Sequence, residues 1–145
     1  MARRILWFSI LTLVIVAATI VSTWPLADRS SWDIPWHQDP LFSTWRLYQW
    51  TRNFFGEGPG GLADGNIFYA APNVLFYSDA ILLPALMAAP WIKAGVPPLL
   101  VYDGLVWASF LTAGFGMYLF ARDLTGSRAG ALVAAVIFTG APYRI

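Results

Sequence analysis

The chain has no cysteine and a single histidine, His37. Disulfides and thiolate metal sites are thereby excluded. Neither a His-rich zinc centre nor a Ser-His-Asp triad assembled within these 145 residues is expected. Charge is equally scarce. Asp, Glu, Lys and Arg make up 12% of the residues, against about 25% in an ordinary soluble domain. Net charge is +1, so the basic footprint of a nucleic-acid binder is missing and no nucleic-acid partner is expected. Apolar side chains take the place of charge. They form 58% of the sequence, which points to the lipid bilayer as the main solvent.

The apolar residues fall into runs. Ile5 to Val21 contains no charge and, with Ser22, Thr23 and Trp24, reaches the roughly 20 residues a helix needs to cross the hydrocarbon core. Arg3 and Arg4 precede the run, which puts the N-terminus in the cytoplasm. Pro25 ends it. A secretory signal is the rival reading, but such a signal has an apolar core of about 7–15 residues and a small-residue cleavage site. This core is longer and no clean site follows, so an uncleaved span is favoured. A second span, 99–121, follows Pro97-Pro98. Arg122 and Arg128 flank the next turn, which reads as cytoplasmic. A third span runs from about 128 to 143, where Pro142 breaks it.

The segment 79–94 is apolar over a shorter stretch and carries Pro84 and Pro90. Runs of about 10–14 residues mark buried, re-entrant or interfacial segments. Treating it as a span would also place Arg122 and Arg128 outside. The predicted fold is therefore an all-α membrane protein of three transmembrane helices (5–24, 99–121 and about 128–143). A large outer loop, 25–98, carries two juxtamembrane, interfacial helices at about 40–55 and 79–94.

That loop holds the polar chemistry. Five of the eight Trp residues lie between Trp24 and Trp50, and Trp favours the headgroup region. Pro40 to Phe55 reads as a helix with Pro in its first turn and Asp39 as its N-cap. At 100° per residue, Arg46, Gln49 and Asn53 share one polar stripe on an otherwise apolar helix, a pattern that suits an interfacial position. Each candidate has a structural reading beside the functional one. Asp39 and Asp79 serve equally as helix caps, and Arg46 and Arg52 as anchors to lipid phosphate. Asp103 is an acid inside a span, where it needs a partner or a wet cavity.

The order and spacing of these residues are familiar. Asp39-Pro40-Leu41, Trp45-Arg46, Asn66-Ile67-Phe68-Tyr69 and Tyr77-Ser78-Asp79 follow one another in the outer loop. Leu124 to Arg128 and Ala141 to Arg144 follow in the turn and the last segment. Together they resemble the N-terminal part of bacterial GT-C-class membrane glycosyltransferases, the class of the protein mannosyltransferases and the lipid A aminoarabinose transferase. Two positions depart from the pattern: Gln38 stands where a Gly commonly precedes the early Asp, and Asp103 where Asn is frequent.

The resemblance implies an enzyme of the cytoplasmic (inner) membrane that moves a sugar from a polyprenyl-phosphate donor to an acceptor on the outer face. It makes Asp39 the general base and Asp79 a second acid. Arg46, Arg52, Asn66, Tyr69 and Tyr77 become phosphate or substrate contacts. Asp39 and Asp79, with phosphate oxygens, would suit magnesium or manganese. The competing expectation is a non-catalytic integral membrane protein: an assembly partner, a transporter fragment or a truncated inactive product. Gly104, Ala108, Gly114 and Gly116 supply small residues for close helix packing in either case.

Overall fold

The computed structural model describes residues 2–24, 26, 39–68 and 70–141. Every regular element among them is helical. These are α1 (Ala2–Ser22), α2 (Asp39–Phe54), a 3-10 turn (Val74–Phe76), α3 (Leu82–Lys93), α4 (Pro98–Thr125) and α5 (Arg128–Thr139). The chain forms two bodies. One contains α1, α5 and α4 from Val106 onward; the other contains α2, the 3-10 turn, α3 and residues 98–105.

α1 has no Gly or Pro to interrupt it over its 21 residues, about 32 Å of helix at 1.5 Å per residue. Ile5, Leu6, Phe8 and Leu13 point outward from it, exposed. α4 is longer, 28 residues. Pro98 occupies its first position, where a missing N–H is harmless. Gly126, in the left-handed region at φ 66°, ends it by returning its N–H to the Arg122 carbonyl. Among the described residues, α1 and α4 are the two helices long and apolar enough to cross a membrane.

The third predicted span is corrected. α5 has 12 residues, about 18 Å of helix against a hydrocarbon core of about 30 Å. Ser127 starts it by accepting the Gly130 N–H at 3.1 Å. At the other end the Gly140 and Ala141 N–H groups turn back to the Val136 and Phe138 carbonyls. The apolar composition continues past Gly140, but the helix does not. Residues 142–145 lie outside the described residues, as do 27–38, which include His37 and Gln38, and Tyr69. α3 is likewise a 12-residue helix.

In the first body Leu11, Ile15, Tyr118, Ala121, Ala131 and Ala135 form the core. Ala131 and Ala135, one turn apart, let α1 approach the α5 backbone closely. Gly114 marks the tightest point. A Cβ there would lie 2.6 Å from Thr139 Oγ1 and 2.8 Å from Ile15 Cγ2. Gly104 and Gly116, read as packing residues on the same footing, face open space.

In the second body Leu47 and Trp50 of α2 pack against Ala85, Ala88 and Ile92 of α3. The α3 residues repeat at helical spacing, so small side chains line one face and α2 settles onto it. Burying Leu47 and Trp50 contributes roughly 1.5–3 kcal/mol each. Leu75 and Ala63 close the core from the loop side, joined by the Leu75 N–H to the Ala63 carbonyl at 3.0 Å.

Candidate functional site

The polar stripe of α2 turns inward. Arg46, Gln49 and Asn53 are only 6%, 1% and 9% exposed. A buried polar group needs partners, and these three find theirs largely in the segment that follows the helix. Asn53 Nδ2 donates to the carbonyls of Leu62 and Asp64 at 2.8 and 2.7 Å, while Gln49 Nε2 donates to Asn53 Oδ1 at 2.9 Å. Asp64 then accepts the backbone N–H groups of Gly61 and Asn73, each at 2.6 Å. Those two bonds hold its carboxyl below the ordinary aspartate value. Asn73 sits in the left-handed region at φ 56°, which asparagine tolerates. Gly58 and Gly65 leave room for this fold-back. A Cβ at Gly58 would collide with Asn53 Oδ1, and one at Gly65 with Val74.

Arg46 secures the other end of the excursion. Its Nη1 donates to the Asp79 carbonyl and to Ser78 Oγ, and its Nη2 to Ser43 Oγ at 3.1 Å. The guanidinium carbon lies 4.7 Å from the Phe42 ring centroid, a cation–π distance. Nε is buried without a partner. Burial lowers the Arg46 pKa, and Asp79, Asp39 and Tyr102, in that order, oppose the shift electrostatically. Asp39 and Asp79 are both exposed. Both acids lie within electrostatic reach of this one buried cation, although the loop and its glycines separate them in sequence. Asp39, Ser43 and Arg46 follow one face of α2 at helical spacing, and Asp39 occupies the first turn.

The remaining predicted residues stand elsewhere. Arg52 closes the C-terminal end of α2, its Nη2 donating to the Glu57 carbonyl at 2.6 Å. Glu57 pairs with Lys93, which holds its carboxyl below the usual range. Asn66 Oδ1 accepts the indole N–H of Trp45 at 3.0 Å, so it fixes a ring on α2. Tyr77 is exposed and packs against Phe68. Asp103 is 2% exposed and neither carboxylate oxygen has a hydrogen-bond partner.

Sequence reasoning passed over Tyr102. It lies within electrostatic reach of Arg46 and Asp39. Its signal was positional: it follows Pro97-Pro98 by one turn, at the loop end of α4.

No family model, curated protein or solved structure matches this chain. The site has therefore to be read from its own chemistry. Among the described residues there is no cluster of three or more His, Cys, Asp or Glu. Arg46 holds the Ser78 hydroxyl, the Asp79 backbone carbonyl and the Ser43 hydroxyl, while the carboxylates of Asp39 and Asp79 are exposed within its electrostatic reach.

Proposed function

We propose that this chain is the N-terminal part of a GT-C-class membrane glycosyltransferase that uses a polyprenyl-phosphate sugar donor. The observation that supports the reading is the tie Arg46 makes between Ser43 on α2 and Ser78-Asp79, with the exposed Asp39 and Asp79 both within its electrostatic reach. A lipid-linked donor keeps its tail in the bilayer and its phosphate at the interface. Its transferase needs acids at the membrane boundary, in a chain with helices able to span the bilayer, as α1 and α4 are by length and composition. In this reading the N-terminus is cytoplasmic and the segment from 25 to 98 lies on the outer face of the inner membrane.

Asp39 is the general base. It takes the proton as the acceptor hydroxyl attacks the anomeric carbon, and the bond from that carbon to the phosphate oxygen breaks, its electron pair leaving with the polyprenyl phosphate. Its exposure at the head of α2 leaves it open to an acceptor. Asp79 orients the acceptor from the facing segment. Arg46 is a positioning residue: its two Nη groups hold the Ser43 and Ser78 hydroxyls and the Asp79 backbone carbonyl, and its charge acts through the low-dielectric interior. It is too buried to grip a phosphate directly. Arg52 is removed from this group by its bond to Glu57.

A non-catalytic membrane protein is the second reading. It is favoured by one observation: Asn53, Asn66 and Arg46 all make bonds within the fold. The two readings separate on donor use. Membranes carrying the protein should transfer labelled sugar from a polyprenyl-phosphate donor and not from a nucleotide sugar. Absence of transfer from either, with the protein correctly inserted, would favour the second reading.

A further inference from the structure

We propose that the turn joining α4 to α5 holds the phosphate of an anionic phospholipid between Arg122 and Arg128. A cavity of about 340 Å³ opens there, lined by Trp7, Phe8, Tyr118, Leu119, Arg122 and Arg128 among others. One end is cationic and the rest is apolar or aromatic, the division a lipid headgroup and its chains require.

The cationic end is unsatisfied. Arg122 Nη1 is buried and has no hydrogen-bond partner, an arrangement that costs free energy unless a ligand supplies the acceptor. Among the described residues neither arginine has an ion-pair partner. The Arg128 guanidinium lies 5.9 Å from the Trp7 ring centroid, which steadies it without neutralising it. The Trp7 indole N–H donates to the Tyr118 hydroxyl at 2.7 Å, so the Tyr118 O–H proton remains available as a donor. Arginine matches phosphate oxygens in a planar fork, and basic pockets between membrane helices are a recurrent headgroup chemistry.

The apolar wall continues the argument. Phe8 and Leu119, which line this cavity, are both exposed, and an acyl chain would cover them. The inference rests on the membrane reading of α1 and α4 and is independent of the transfer reaction.

The test is native mass spectrometry of the whole protein from mixed micelles containing equal phosphatidylglycerol and phosphatidylcholine. Wild type should retain phosphatidylglycerol preferentially, with Arg122→Gln/Arg128→Gln losing the preference, each arginine contributing about fivefold. Arg128→Gln alone keeps the test secure, because Arg128 is exposed and its loss leaves the core intact. Equal retention of both lipids by wild type would overturn the proposal, as would an unchanged preference in the double variant. Displacement of the lipid by an equal concentration of inorganic phosphate would also overturn it, since the site would then take a free anion. Sugar transfer is not read in this experiment, so its failure leaves the Asp39 assignment untouched.

Discussion

Arg46 donates to the backbone carbonyl of Asp79, a residue 33 positions further along the chain. The bond ties the middle of α2 to the segment that enters α3. Its geometry needs a fork, since Nη1 and Nη2 serve different partners. Arg46→Lys keeps the charge and loses the fork. It should cost about 1.5–3 kcal/mol, the range for hydrogen bonds to charged groups. Thermal unfolding in detergent measures the loss, and hydrogen exchange should quicken first at residues 77–81. Arg46→Lys with wild-type protection there would remove the positioning role.

Asn53 gives a sharper contrast. Its amide nitrogen faces two carbonyls. Asn53→Ala removes both bonds and leaves those acceptors unpaired, and it also takes the acceptor of the buried Gln49 amide, for about 2–3 kcal/mol. Asn53→Asp replaces the donor with an acceptor facing the same carbonyls and should be worse than alanine. Limited proteolysis within residues 57–66 ranks the three proteins. Equal resistance of the Asp and Ala variants would contradict the assigned orientation of the amide.

The loop should also respond to acid. Asp64 has its pKa depressed by the N–H groups of Asn73 and Gly61. A depressed carboxyl stabilises the fold above its unfolded pKa, and that contribution disappears as pH falls through the folded value. Loosening of residues 61–73 is therefore expected as pH drops below the ordinary 3.8. Asp64→Asn should be looser at neutral pH and lose this acid step. Exchange rates across residues 61–73, followed from neutral pH downward, read both effects.

Helix packing in the other body turns on one glycine. Gly114→Ala places a methyl against Thr139 and Ile15, an overpacking that costs about 1–3 kcal/mol. Gly116→Ala meets open space and should be neutral or slightly stabilising through helix propensity. In the same detergent the Gly114 variant should melt below wild type and the Gly116 variant at or slightly above it. A Gly116 variant as damaged as the Gly114 variant would mean that the face, not the contact, matters.

Some of this was written plainly in the chain. α1 follows from an uncharged apolar run and α4 from one that Asp103 alone interrupts before Arg122, and Pro98 and Gly126 mark the ends of α4. α2 opens at Asp39-Pro40. It closes at Gly56, whose left-handed φ of 71° lets the Glu57 N–H return to the Arg52 carbonyl. The stripe Arg46, Gln49, Asn53 was legible as one face, but not as the buried face. Periodicity places residues together and is silent on whether a loop or solvent will cover them. The third span was overread because Ala129 to Ala141 stays apolar beyond the point where α5 stops. The pairing of Arg46 with Asp79 has no local signature. It depends on the fold-back through Asn53, Asp64 and the Gly58–Gly65 stretch, a tertiary event. Tyr102 was passed over because a tyrosine at the end of an apolar helix reads as an interface anchor.

The central claim is that Asp39 takes the proton in a sugar transfer at the membrane surface. The most direct measurement is transfer from a polyprenyl-phosphate sugar by the full protein carrying Asp39→Asn, with membrane insertion followed alongside. Asparagine keeps the shape and removes the base. The account predicts normal insertion and a loss of turnover of about 10²–10⁴-fold, the usual contribution of a general base. Turnover within a few-fold of wild type in a correctly inserted Asp39→Asn protein would contradict it.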